Sequence, residues 1–576
     1  MASGDLIPRV YGGFRGVDFR GDEINLVRSP DSLNMWKDYK ETESIRTRPK
    51  MKNALYFDNT VYGVFFYKAG STDMMLVHSG TELYKVVNGE KTLLKSGLKA
   101  ARSNAFVYNN NWFFIDGKNY LQYDGATIGD VRGYVPTTVI AKAPNGSGEI
   151  LEDVNLLSDY RINTFVADGS QDYYLAEQDI DSDYDIVPYV DGYAHTNITV
   201  DYKKGMVHFN AAPQPPKGTD GQANVKIEYK KTNKDKKTGE NINRNKILKC
   251  TMLEIFDNRV FFSGNPDHPN VIRHCILNNP TYCADLDYYN EGLDTAKVKG
   301  MVAGNNALWV FKEPSQANTT VFYHTPTIDK EYGKIYPNTH SSISTGCIGK
   351  AINFNDDIVF FSDRGMEGIS GDVTSEQVIS HRSTLVDRKM TAEPDYADMI
   401  LEEWEGYLVV IIGNKVYLAD SRAMFENESH YEYEWFYWEL EKKITCAKVN
   451  KGVLYLGTED GVYTLSDNTG NVESYWVTPK DKFGHPQYQK TTNKRGCVVE
   501  AETMENGEIS VYAKTEKETE FTDETYIGTY KNVTDSFVSR IKRKKFKDIQ
   551  LKFHSNTRFS LEQATLECFI GGYIKR

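Results

Sequence analysis

A short apolar run, a Gly/Asn/Asp turn and a second apolar run recur along this chain, and where nothing intervenes the units begin about 45–50 residues apart. The runs include Val61–Tyr67, Met74–Val77, Trp112–Ile115, Val260–Phe262, Ala307–Phe311, Ile358–Phe361, Tyr407–Ile412 and Val453–Leu456. Each is strand-length, rich in β-branched and aromatic residues, and bounded by turn formers. Asp116-Gly117, Gly413-Asn414 and Glu459-Asp460-Gly461 separate paired runs and supply the positive φ that tight hairpins need. The units begin near Val61, Asn111, Arg259, Ala307, Ile358, Tyr407 and Val453. One such unit cannot bury both of its faces, whereas a ring of them can. The expected fold is therefore all-β, a β-propeller of about seven blades. Ordinary hairpins in stacked β-sandwiches are the competing reading.

The spacing breaks twice. Between residues 150 and 235 an alternating meander, Ile198–Tyr202, turn, Met206–Phe209 and Val225–Tyr229, predicts an inserted β-sandwich. Lys230 to Lys246 reads as a flexible polar linker back to the propeller. After residue 470 alternating segments such as Ile549–Phe553 predict a C-terminal β-sandwich. The expected organisation is an extended arm over 1–50, first blades over 51–149, the insertion over 150–235, remaining blades over 236–470 and the C-terminal domain over 471–576.

Composition narrows the function. The 576 residues carry a formal net charge of −12, so no overall field draws the chain to DNA or to an anionic membrane. The 38 Tyr suit half-buried sheet surfaces and interfaces that are apolar at one end and wet at the other. Seven scattered Cys show neither a disulfide framework nor a paired CxxC site, consistent with folding in a reducing cytoplasm. No stretch approaches 18 consecutive apolar residues, and no secretory leader is visible at Met1–Asp5.

Phe14-Arg15-Gly16-Val17-Asp18-Phe19, Arg28-Ser29-Pro30, Asn34-Met35 and Arg46-Thr47-Arg48-Pro49 form a distinctive opening. Asn258 to Asn270, with Gly264-Asn265-Pro266-Asp267-His268-Pro269 at its centre, leads on to Asn279-Pro280-Thr281-Tyr282. Together these segments resemble phage propeller proteins of the tail-hub or packaged-DNA stabilisation family. That resemblance, spread over 14–50 and 250–470, implies an arm laid ahead of the first blade. It also implies copies that ring or plug the DNA exit channel and join neighbouring rings. Net charge alone suggests that the inner surface is acidic and lets DNA slide past.

Chemical motifs are weak. Asp179, Asp181, Asp183 and Asp185 alternate, but an EF-hand loop would need Gly and Glu where Tyr184 and Val190 stand. His268, His274, Cys275 and Cys283 fit no common zinc spacing. Ser344–Ala351 resembles a phosphate loop only at Gly349-Lys350. Glu402, Glu403 and Glu405, and Glu432 with Glu434, are the acidic groups a propeller glycosidase would need to converge. Ser362-Asp363-Arg364-Gly365 is similar to a sialidase Asp-box but lacks its aromatic and displaces its Asp. Tyr431–Trp438 suits core or inter-blade packing, or a stacking face. The strongest charge run, Arg540, Lys542, Arg543, Lys544, Lys545 and Lys547, suits contact with DNA or an acidic neighbour, or else a solvated edge strand.

The expectation is a non-enzymatic bacteriophage structural protein of the neck or tail hub, assembled in the host cytoplasm. It would be homo-oligomeric and joined to portal, adaptor or tail proteins, with non-specific contact to passing DNA and none to membrane. No cofactor or metal is expected. The alternatives are a receptor- or carbohydrate-binding tail protein and a propeller glycosidase acting on host polysaccharide.

Overall fold

The computed structural model describes residues 6–21, 25–38, 44–217, 222–315, 319–330, 333–370, 378–427, 430–467 and 470–573. Among these described residues seven four-stranded antiparallel units recur, six as separate sheets and one inside an eleven-stranded sheet. These are the blades of a β-propeller. Blades 1 and 2 start at Val61–Ala69 and Asn104–Tyr108. Blades 3, 4 and 5 start at Met252–Phe256, Val298–Gly304 and Ala351–Phe354. Blades 6 and 7 start at Ile400–Trp404 and Cys446–Asn450. These first strands pack beside one another around the axis.

The second strand of each blade explains the recurring apolar runs. Ala307–Lys312 and Tyr407–Ile412 are buried along their whole length, because a neighbouring blade covers each face. Each seam has its own apolar cluster. Phe65, Leu76, Trp112 and Phe114 fill the seam between blades 1 and 2. Phe354, Phe361, Leu408 and Val410 fill that between blades 5 and 6. Val61, Val64, Cys446 and Val462 join blade 7 to blade 1 and complete the circle. The circle is also stitched by backbone. Blade 7 takes its outer strand from the beginning of the chain, with Lys50–Tyr56 antiparallel to Gly461–Ser466.

The insertion between blades 2 and 3 is a sandwich with its own core, including Phe165, Tyr173, Val207, Phe209, Ile227 and Tyr229. The return segment expected to be a flexible linker is instead ordered. It ends in a helix, Ile242–Leu248, capped by Asn241 and anchored by buried Ile247. Asn265, from the family-like segment, donates to the carbonyls of Asn245 and Lys246 at 3.0 and 3.2 Å, so it ties this helix to blade 3.

The C-terminal sandwich pairs Tyr488–Thr503 with Phe559–Tyr573 in one sheet and Glu508–Thr515 with Ile549–Ser555 in the other. The N-terminal arm runs between this sandwich and blade 6. Leu6–Gly12 pairs with Phe559–Tyr573, and Ser32–Leu33 pairs with Ser474–Val477. Its family-like residues are anchors. Arg28 meets Glu434 through two charge-assisted hydrogen bonds of 2.8 and 2.6 Å, with both side chains buried. Arg48 donates to Asn34 Oδ1 at 2.8 Å and to the Glu439 carbonyl at 2.6 Å. Gly16, at φ +121°, lies so close to blade 6 that a Cβ would sit 2.0 Å from the Trp435 carbonyl oxygen. Only glycine fits both that conformation and that approach.

Candidate interaction site

The basic run is placed by apolar anchors within it. Ile541 and Phe546 are buried in the sandwich core, so Arg540, Lys542, Lys544, Lys545 and Lys547 are left exposed. Thr492 pins the run from the adjacent strand. Its hydroxyl donates to the Ile541 carbonyl at 2.8 Å and accepts from the Arg543 N–H at 3.0 Å. Lys490, buried beneath, donates to the Lys547 carbonyl at 2.8 Å.

A bulge adds two cations. Pairing of Tyr488–Thr503 with its neighbour jumps between Thr492 and Cys497, and the residues between loop outward. Gly496 makes this possible: it has φ +91°, and a Cβ there would stand 2.3 Å from the Ser539 carbonyl oxygen. Lys494 and Arg495 are thereby set beside Arg540 across a cleft of about 800 Å³. The cleft is lined by Lys494, Arg495, Arg540, Lys542, Arg543 and Lys544, with the apolar surfaces of Val538 and Phe569 between them.

The lining contains no carboxylate, and among the described residues none of the six cations reaches one within 4.0 Å. Arg543 differs from the rest, since its guanidinium donates to the Ala513 and Glu524 carbonyls at 2.8 and 3.2 Å and is structural. Lys545 and Lys547 lie outside the cleft lining. Sequence reasoning missed Lys494 and Arg495, because a two-residue basic pair means nothing until the bulge folds it against the run.

The other motifs fall elsewhere. Glu434 is the clamp on Arg28, and Glu432 accepts from the Thr384 N–H at 2.9 Å, so this acidic pair is structural. Glu402 lies on the inner strand of blade 6, where Lys448 approaches to 3.4 Å, while Glu403 is exposed. Ser362–Gly365 is the turn between two strands of blade 5. Tyr433 and Trp435–Trp438 are buried in the seams around blade 6. Asp181 accepts from the Thr232 N–H at 3.0 Å and Asp183 pairs with Lys230 at 2.7 Å, which occupies part of the alternating acidic loop. Cys275 and Cys283 face each other in the core with sulfurs 2.8 Å apart, and His274 Nδ1 meets the Cys275 carbonyl.

One mouth of the propeller axis carries a second group of charges. Arg102, just before the inner strand of blade 2, donates to the carbonyls of Thr445 and Asp398 at 2.7 and 2.6 Å. It therefore spans the mouth to the starts of blades 7 and 6. Lys350, just before the inner strand of blade 5, is driven down to about 8 by burial, helped by Arg102 and Lys299 and opposed by Asp398 and Glu402. Burial likewise raises the Glu402 carboxyl, against the pull of Lys448, and lifts Glu254 on blade 3 to about 7. A whole-chain charge does not fix where individual charges lie, and at this mouth Arg102, Lys299, Lys350 and Lys448 stand with Asp398 and Glu402.

No protein-family model matches the sequence, and no curated protein matches it. Among solved structures, a streptogramin B lyase is 9% identical, with 73% of this chain and 98% of that one covered, at a TM-score of 0.35. BamB from Moraxella catarrhalis is 10% identical, with 76% and 95% covered, at 0.32. Hsv2 from Kluyvelomyces marxianus is 10% identical, with 73% and 93% covered, at 0.30.

Proposed function

We propose that this chain is a non-enzymatic structural component of a bacteriophage virion at the neck or tail hub, which docks through its C-terminal basic cleft onto an acidic surface of a neighbouring protein. The observation that carries the docking is the cleft itself: six cations without a carboxylate on a chain of net charge −12. Holding like charges together costs self-repulsion, which an oppositely charged partner relieves. The exposed apolar atoms of Val538 and Phe569 among the cations suit a protein partner, since phosphate contacts alone would not use them.

The virion placement rests on the resemblance over 14–50 and 250–470. The mechanical role is supported by the way those residues act here. Arg28, Asn34 and Arg48 fasten the arm to blade 6, and Lys50–Tyr56 closes blade 7, so the two domains and the ring are tied by one segment. In this reading a ring of copies surrounds the DNA exit channel, and DNA passes between copies instead of through a propeller axis that Arg102 bridges.

Immunogold labelling of phage particles with antibody against the whole chain tests the proposal. Gold at the head–tail junction or tail is expected, and particles free of the protein would overturn it.

A second reading, glycan binding by the inserted sandwich, is favoured by one feature. A cavity of about 920 Å³ is lined by Tyr189, Asp191, Asn224 and Glu228, and Tyr174 and Tyr193 are exposed on the same domain. Glycan-array binding by the full chain that Tyr189→Ala abolishes would favour this reading.

A further inference from the structure

A small cavity of about 320 Å³ opens at the axial mouth beside blades 3 to 6. Its lining brings together two segments far apart in sequence. Gly264, Asn265 and Pro266 come from the Asn258–Asn270 stretch, and Gly349-Lys350 is all that the sequence retains of a phosphate loop. Lys297 and Lys299 of blade 4 join them, with Asp398 on the blade 6 side.

The ammonium groups are unequal. Lys297 is paired with Glu313 at 3.6 Å. Lys299 and Lys350 have no hydrogen-bond acceptor and no carboxylate within 4.0 Å among the described residues. Arg102 adds a third positive charge felt by Lys350; its own hydrogen bonds go to backbone carbonyls, while the carboxylates of Asp398 and Asp395 act on it from a greater distance. Of the carboxylates that act on Lys350, Asp398 is exposed and lines the cavity, and Glu402 is engaged by Lys448, with burial shifting its carboxyl pKa upward. Two ammonium groups, Lys299 of blade 4 and Lys350 of blade 5, thus face one half-enclosed space with no carboxylate in contact; Arg102 of blade 2 adds its field to Lys350, and Asp398 is the carboxylate in the lining. Such a group costs desolvation and mutual repulsion unless an anion fills the space.

We infer that this axial mouth binds a small inorganic oxyanion of the sulfate or phosphate class, held by the ammonium groups of Lys299 and Lys350 within the field of Arg102. The cavity admits one such ion with a few waters, and it lies at the low end of the volumes that take organic ligands. Binding follows the protonation of Lys350, which titrates near 8. Below that pH the site carries its full charge, and above it the affinity falls. The groups that set this titration are Arg102 and Lys299, which lower it, and Asp398 and Glu402, which raise it.

Calorimetric titration with sulfate, whose charge is constant across the range, tests the inference. The full chain is used in a Lys542→Glu/Lys544→Glu background, so that the C-terminal cleft does not contribute. Saturable binding is expected at pH 7 over chloride of equal ionic strength, weakened at least tenfold by Lys350→Met. Raising the pH to 9.5 should weaken it at least fivefold with Lys350 present and leave the Lys350→Met variant unchanged. Lys299→Gln is the second arm, in case Lys350→Met disturbs folding, and should weaken binding at least fivefold. Absence of saturable binding, or binding that neither substitution alters, overturns the site.

Discussion

Two of the places where cations gather in this molecule treat them in opposite ways. Along the seam between the arm and blade 6, Arg28 and Arg48 are buried and hydrogen-bonded. Arg28 lies against Glu434, and Arg48 lies against Asn34, the Glu439 carbonyl and Glu441 at 3.1 Å. In the C-terminal cleft, Lys494, Arg495, Arg540, Lys542 and Lys544 are exposed and reach no carboxylate among the described residues. The first arrangement fixes one conformation of one chain. The second leaves interaction capacity unspent, which an isolated chain gains nothing from. On the docking proposed for the cleft, fold and association are written in different residues, and the two sets can be changed separately.

Breaking the seam should give the largest effect. Arg28→Met leaves buried Glu434 without its hydrogen-bonded partner and only Arg15 at 3.9 Å, and removal of one member of a buried pair typically destabilises by about 3–5 kcal/mol. Chemical denaturation should show that loss. The double change Arg28→Met/Glu434→Leu should recover most of it, because two apolar groups of similar size leave no orphaned charge. A double variant as unstable as the single one would mean that the seam depends on shape and not on the charge pair.

Gly496 serves both fold and cleft, since it is buried in the C-terminal sandwich and shapes the cleft by its conformation. Gly496→Val meets both a positive φ and the Ser539 carbonyl, and should destabilise by about 2–3 kcal/mol. The bulge would be pulled out of place, so partner binding should fall along with stability. Hydrogen exchange should localise the loosening to Tyr488–Thr503 and Ser536–Ser539.

Parts of this were legible in the sequence. The second strands of the blades were, because burial on both faces leaves a continuous apolar run such as Tyr407–Ile412. The closing strand Lys50–Tyr56 was not. Its partner Gly461–Ser466 lies some four hundred residues away, and a half-exposed strand carries no mark of the sheet it joins. Arg28, Asn34 and Arg48 stood out through family resemblance, but their role is a matter of contacts that spacing does not encode. The run from Arg540 to Lys547 was visible as charge. Its division into core anchors, a structural Arg543 and a free face was not, because that depends on how Ile541 and Phe546 are seated. Gly349-Lys350 alone does not make a phosphate loop, and only the closed ring brings Lys350 near Lys299 and Arg102.

The smallest stability effect is the sharpest test of the contrast. Lys542→Glu/Lys544→Glu removes two cations from the cleft and adds two carboxylates beside Lys494, Arg495 and Arg540. If the cations are held in reserve, no native contact is lost, and relief of like-charge repulsion offsets any cost. Stability should then change by less than about 0.5 kcal/mol. Association should respond strongly. Incorporation into particles should drop at least tenfold, and salt should weaken assembly of the original chain, because exposed charges are screened beyond about 8 Å at physiological ionic strength. A chain that is markedly destabilised yet still enters particles would place these lysines with Arg28 and Arg48, as parts of the fold, and would remove the distinction between the two regions.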